Sequence, residues 1–286
     1  MVKLIPKNLS TLSFLSSGFP LRAAMARKQD VHDEVERLIS IGSSLRTRKN
    51  FTDAIPYFRK SLSLTRLNKL SCSTELRCSN GLMSSLRQTG PPGLAEAESL
   101  IDRALDIASN LGNNEVKLCL RAYLNVGLVY SLKRELETAV DIFKAGEDFY
   151  EKNRSPEAVE DSEMQKIMIN FKYCAVQALQ CLMLCAEESD KKDSLQVAIL
   201  TRLNSIISHT DANFDLEKAF AHQELARFYE QANTDPDAAK KADYHHRTAL
   251  SLCGVQHQSL CAICLEPMNT ENAGTLILTC CHVYHR

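Results

Sequence analysis

The sequence predicts an all-α protein of repeated antiparallel helix pairs that ends in an incomplete zinc-binding module. Two sets of small and aromatic residues recur at identical offsets 85 positions apart, and the segments between them keep an apolar helical period. The C-terminal stretch adds C-x2-C followed by C-x-H-x2-H, a metal-ligand spacing. Reading the periodicity first divides the chain into residues 1–29, 30–255 and 256–286.

Residues 1–29 are basic, with Lys3, Lys7, Arg22, Arg27 and Lys28 and no acid before Asp30. A disordered tail, or an extension ahead of a second start at Met25, is the favoured reading, with a mitochondrial transit peptide as the alternative. Val2 stands where N-myristoylation requires glycine.

The first unit lies in LISIGSSLRTRKNFTDAIPYFRKSLSL, where Leu38, Ile41, Gly42, Leu45, Ala54, Phe58 and Ser61 are spaced as packing positions of a helix pair. Tyr123, Val126, Gly127, Tyr130, Ala139, Phe143 and Gly146 repeat those offsets. Small Gly42 and Ala54 let two helices cross closely while Phe58 fills the space beside them, and a larger side chain would wedge them apart. Between these units GLAEAESLIDRALDIA supplies a second helix through Ala97, Ile101 and Ala104, after a turn at GPPG. A fourth unit follows from Leu225, Ala226 and Tyr229 to Ala242 and Ala249, with NTDPD as its turn. The segment from Glu163 to His209 keeps the apolar period without the small residues and reads as a degenerate repeat.

This template resembles the tetratricopeptide repeat, with a step of 43 and then 42 residues between Ala54, Ala97 and Ala139. The resemblance implies a tetratricopeptide-type helical-repeat superhelix, because single units cannot bury their apolar faces alone. It also implies a concave groove that binds partner proteins or peptides. Tyr123, Tyr130, Phe143 and Tyr229 fall on packing positions and read as core.

In CAICLEPMNTENAGTLILTCCHVYHR, Cys261 and Cys264 form a knuckle that presents two thiolates to one tetrahedral zinc ion. After fifteen intervening residues come Cys280, His282 and His285, with Cys281 as spacer. The order resembles the first five ligands of a RING finger with two central histidines. That resemblance implies that Cys261, Cys264 and His285 share one Zn2+ site and that Cys280 and His282 begin another. It further implies that Ile263 contacts a ubiquitin-conjugating enzyme and that Leu278 is the apolar residue ahead of the third ligand. A further ligand is expected about three residues after His285, so the sequence ending at Arg286 reads as a fragment of a longer product.

Repeats followed directly by this ligand order resemble the rapsyn family, synaptic scaffolds that cluster acetylcholine receptors. The likeness covers most of the chain from about Asp30, although the array is shorter than in that family and the myristoylation glycine is missing. It implies an adaptor whose repeats hold one protein, such as a receptor cytoplasmic segment, and whose zinc module engages another, at the cytoplasmic side of a postsynaptic membrane. Self-association belongs to the same set of expected contacts. The alternative is a RING-type ubiquitin ligase in which the repeats select substrate.

Bulk composition agrees with a protein-binding role. The 34 basic and 35 acidic residues are interspersed along the helices, so no basic stripe marks a nucleic-acid surface. No run of about eighteen apolar residues predicts a transmembrane helix. Of the eleven cysteines, Cys72, Cys119, Cys174, Cys181 and Cys185 fall in helical apolar patterns, as small hydrophobes in a reducing compartment do. No nucleophile elbow, phosphate loop or HExxH motif is present, and His209, His222, His245 and His246 have no acid or cysteine at useful spacing. The run from Glu187 to Asp193 reads as a solvated loop.

Overall fold

A computed structural model describes residues 19–153, 162–208, 215–231 and 237–252 and two short strands, 275–277 and 283–285. Apart from those strands the described residues are helical, and they divide into two compact units, 1–100 and 101–286.

In the first unit α1 (Phe19–Thr47) and α2 (Phe51–Leu67) form an antiparallel pair, followed by α3 (Cys72–Leu86) and α4 (Pro91–Glu98). Helix α1 begins inside the segment expected to lie outside the array. Its first turns read LRAAMARKQ, a run of strong helix formers that extends the helix backwards from the packed part. A left-handed residue closes both α1 and α2. Lys49 (φ 60°) donates its N–H to Arg46 while Asn50 donates to Leu45, and Lys69 (φ 49°) and Leu70 do the same to Arg66 and Thr65. This double bond satisfies two carbonyls that the helix end would otherwise leave bare. Ser71 caps α3 by accepting from the Thr74 N–H at 3.1 Å. Nearly all of α3 is buried, including the polar Ser79, Asn80, Ser84 and Ser85.

The second unit contains α5 (Ile101–Leu111), a short 3-10 helix at Gly112–Glu115, α6 (Val116–Leu132), α7 (Leu136–Asn153), α8 (Ser162–Cys185), α9 (Ser189–Ile207), α10 (Asp215–Gln231) and α11 (Ala238–Leu252). Residues 93–108, expected as a single second helix, fall in two helices, with a turn at Ser99 and Leu100. Helix α6 ends on Arg134 (φ 68°) with the same pair of backbone bonds as α1, so the 85-residue recurrence extends to the turn.

Two apolar clusters meet on α8. One face sends Met164, Ile167, Met168, Phe171, Ala175 and Ala178 into a core with Leu120, Ala139 and Phe143 of α6 and α7. The other sends Ile169, Val176 and Leu179 against Ile199, Leu203 and Ile206 of α9 and Ala221 and Leu225 of α10. A helix packed on both sides is apolar nearly all round. That accounts for the finding, against the sequence expectation, that Glu163–Cys185 is long and apolar enough to cross a membrane, with a window hydropathy of 1.3.

Polar links join several helices to the next but one. Within the first unit Arg77 of α3 binds Glu36 of α1 at 2.7 Å, and Arg59 of α2 binds Glu96 of α4 at 2.8 Å. Within the second, Arg121 and Lys117 of α6 bind Glu163 of α8, and Gln180 of α8 donates to Glu224 of α10 at 2.8 Å. Two links between α7 and α9, Glu137 to Lys191 and Glu147 to Arg202, advance by nearly the same step on both helices. These helices therefore run in the same direction. Exposed pairs of this kind each contribute less than about 1 kcal/mol, so they mark register more than they hold the fold. At the C-terminus β1 (Thr275–Ile277) pairs antiparallel with β2 (Val283–His285), with Thr275 opposite His285 and Ile277 opposite Val283.

Candidate functional site

The small residues named from sequence sit where helices cross. Ala54, Ala97 and Ala139 have no exposed surface, and neither does Phe143. A Cβ built on Gly42 would lie 3.0 Å from the Phe58 ring, and one on Gly127 would lie 2.3 Å from Phe143. Tyr130 is half-buried beside the α6–α7 core, with the Lys133 ammonium 5.9 Å from its ring centre. Within the first unit Phe58 is shared by α1 and α3, because a Cβ on Gly81 of α3 would also come within 2.2 Å of it.

Gly81 was not singled out from the sequence. The signal was there: Gly81 to Gly93 repeats the twelve-residue interval of Gly42 to Ala54 and Gly127 to Ala139. At Gly93 a Cβ would meet the Leu86 carbonyl oxygen at 2.2 Å, so only glycine fits there.

On the second unit α8, α9 and α10 enclose a groove of about 510 Å³, with Met183, Ile199, Cys181 and Phe228 among its lining residues. Its polar side is internally paired: Glu224 accepts from Gln180 at 2.8 Å and from Arg227 at 2.6 Å. Leu184 stands at its edge, 83% exposed. Such a groove receives apolar side chains and offers no charge in need of a counter-ion.

Two groups of titratable side chains lie between helices. Glu147, Lys172 and Arg202 converge from α7, α8 and α9, with Arg202 3.5 Å from Glu147 and the Lys172 ammonium donating to the Ser205 hydroxyl at 2.7 Å. Burial pushes the Glu147 carboxyl up and the Lys172 ammonium down. In the last helix pair the Nδ1 atoms of His222 and His245 are 2.7 Å apart, and His246 meets Glu230 at 3.0 Å. These partners lie 23 and 16 residues apart and on different helices, so no local spacing pairs them in the sequence. The run from Glu187 to Asp193 is exposed, but Ser189 onwards is helix α9 rather than loop.

Cys78 and Cys119 are buried, and desolvation pushes the Cys119 thiol up to about 11. Cys72 and Cys185, read from sequence as small core hydrophobes, are exposed because each lies at a helix end.

Among the zinc ligands named from sequence, Cys261, Cys264, Cys280 and His282 lie outside the described residues, as do Ile263 and Leu278. His285 belongs to β2, where its backbone pairs opposite Thr275. Among the described residues no three histidine, cysteine or acidic side chains are grouped as a metal site. No protein-family model matches this chain, and no curated protein matches it.

Proposed function

We propose that the chain is a protein-interaction scaffold of the tetratricopeptide type, whose helical repeats grip partner proteins and whose C-terminal cluster binds zinc as a RING-like module. The reading rests above all on the crossings: Phe58 lies between Gly42 and Gly81, and 85 residues on Phe143 packs on Gly127. Small residues at those points let helix pairs nest and stack, and stacked pairs form extended binding surfaces. The groove between α8, α9 and α10 has the mixed apolar and amide lining that suits a peptide side chain.

Three cysteines and two histidines are donor types that zinc takes, and the two paired strands flank the stretch containing Cys280 and His282 in sequence. In this reading Cys261, Cys264 and His285 hold one ion, and Cys280 and His282 contribute to a second. Bound zinc supplies folding energy to such a small module. Replacing Cys261 by Ser should lower the zinc content of the purified chain by metal analysis.

Receptor clustering at a postsynaptic membrane is the specific form of the proposal. Co-expressed with acetylcholine receptor subunits, the chain should gather them into surface clusters, and Gly127→Leu should disperse those clusters. Receptors evenly spread beside the unaltered chain would refute it. The ligase reading draws on the apolar Ile263 inside the C-x2-C knuckle. In an autoubiquitination assay, a ubiquitin ladder that disappears with Ile263→Ala would favour the ligase over the scaffold.

A further inference from the structure

We propose that His222 and His245 form an acid-released latch that holds α11 against α10. Their Nδ1 atoms meet at 2.7 Å, so one ring must donate a proton and the other must accept it. His222 is 5% exposed, whereas His245 is half-buried. The pair sits in a box of rings. Tyr229 stacks on His245 with planes 6° apart and centres 5.6 Å apart, and Tyr244 meets His245 edge-on at 5.1 Å and His222 at 6.4 Å.

Protonation acts on this geometry in two steps. A first proton, added to His245 at Nε2, leaves its Nδ1–H donating to His222 but places a charge in a half-buried site beside His246. A second, on Nδ1 of His222, sets two N–H groups face to face between two cations in a partly buried site. That arrangement has no hydrogen bond and strong repulsion, and separating the helices relieves both.

The surrounding charges give the pair little help. Glu230 is engaged by His246, and Lys218, one turn before His222, pairs with Asp215 at 3.1 Å. Lys241 lies over the Tyr229 ring at 5.3 Å and adds positive charge, and Asp243 is bound to Arg247. Helix α9 meets α10 through aliphatic side chains, and α8 meets it through Tyr173 against Phe220 and Gln180 on Glu224. Desolvation first, and then the charge of the partner ring, hold His222 down at about 4; burial and His246 lower His245.

For groups with depressed folded values the sign is fixed. The neutral pair is at full strength above the ordinary histidine value of 6.5, and its contribution falls as pH drops from there towards 4. Among the described residues α11 is the helix nearest in sequence to the Cys/His cluster.

Amide hydrogen exchange on the full chain tests the latch, using protection factors that remove the intrinsic pH dependence of exchange. Protection of α11 should fall about tenfold per pH unit between 6.5 and 4.5, as uptake of one proton on opening requires. Protection of α6 and α7 should not fall with it. In His222→Phe, which keeps a ring in the box and cannot charge, the fall of α11 protection with pH should be much shallower than in the unaltered chain. His245→Asn should behave likewise if the first variant fails to fold. PH-independent protection in the unaltered chain, an equal loss in α6 and α7, or an undiminished pH dependence in the variants would each overturn the latch.

Discussion

Replacing Gly127 by Ala adds one methyl group to a helix crossing that has no room for it. The new Cβ would lie 2.3, 2.7 and 2.8 Å from three carbons of the Phe143 ring, where an unstrained contact needs about 3.5–4.0 Å. The ring must therefore retreat by about 1 Å. It has no exposed surface to retreat into and also meets Phe171 edge-on at 6.2 Å. Overpacking of this kind costs about 1–3 kcal/mol, and so severe an overlap belongs at the upper end. Removing a mid-helix glycine returns about 1 kcal/mol, leaving a net loss of about 2 kcal/mol. At Gly42 the added Cβ would sit 3.0 Å from Phe58, a smaller overlap that the same helix gain nearly cancels. Urea unfolding followed by far-ultraviolet circular dichroism separates the two cases: Gly127→Ala should lower the midpoint at constant slope, and Gly42→Ala should barely move it. Adding Phe143→Leu to Gly127→Ala should give a favourable coupling of about 1 kcal/mol in a double-mutant cycle. Equal effects at the two glycines, or no coupling to Phe143, would show that the ring does not set the approach of these helices.

Lys49 and Arg134 occupy left-handed conformations that favour glycine, so Lys49→Gly and Arg134→Gly should each raise thermal stability, by about 0.5 kcal/mol after glycine's entropy cost. Pro56 lies inside α2 on an exposed face and withholds one backbone donor; Pro56→Ala should stabilise by about 1–3 kcal/mol in the same urea assay, and a loss would show that the proline is needed. The Glu34 carboxylate accepts from Arg37 and then Lys60, which hold its pKa at about 2. Because that value is depressed, the contribution is complete above the ordinary carboxylate range and is lost as pH falls towards 2; carboxyl-carbon NMR should show Arg37→Gln moving the Glu34 titration upwards.

The repeat was legible wherever packing needs one residue type. Gly42, Ala54 and Phe58, repeated at Gly127, Ala139 and Phe143, mark two crossings because small residues there leave room for a ring between the helices. Gly81 is not legible as a crossing because α3 is rich in serine, asparagine and cysteine, which hide a buried helix behind a polar composition, and Gly93 reads as part of the GPPG turn although it lies in α4. The early start of α1 was hidden by the basic character of residues that are good helix formers. Ser99 and Leu100 interrupt an apolar period that is continuous in sequence, and no proline or glycine marks the break. The imidazole pair depends on which faces of α10 and α11 meet, and that is fixed only by packing. As for the candidate site, the ligand spacing at the C-terminus is a local property and could be read directly. The groove is assembled from three helices and could not.

Since α8 carries apolar residues on opposite sides, it cannot serve as the last helix of any shortened array. A chain cut after Cys185 would lay Ile169, Val176 and Leu179 bare to water, and one begun at Ser162 would strip the cover from Phe171 and Ala175. Engineering a trimmed version would therefore demand polar substitutions along whichever side lost its neighbour. Boundaries drawn outside the span of α6 to α10 avoid that requirement.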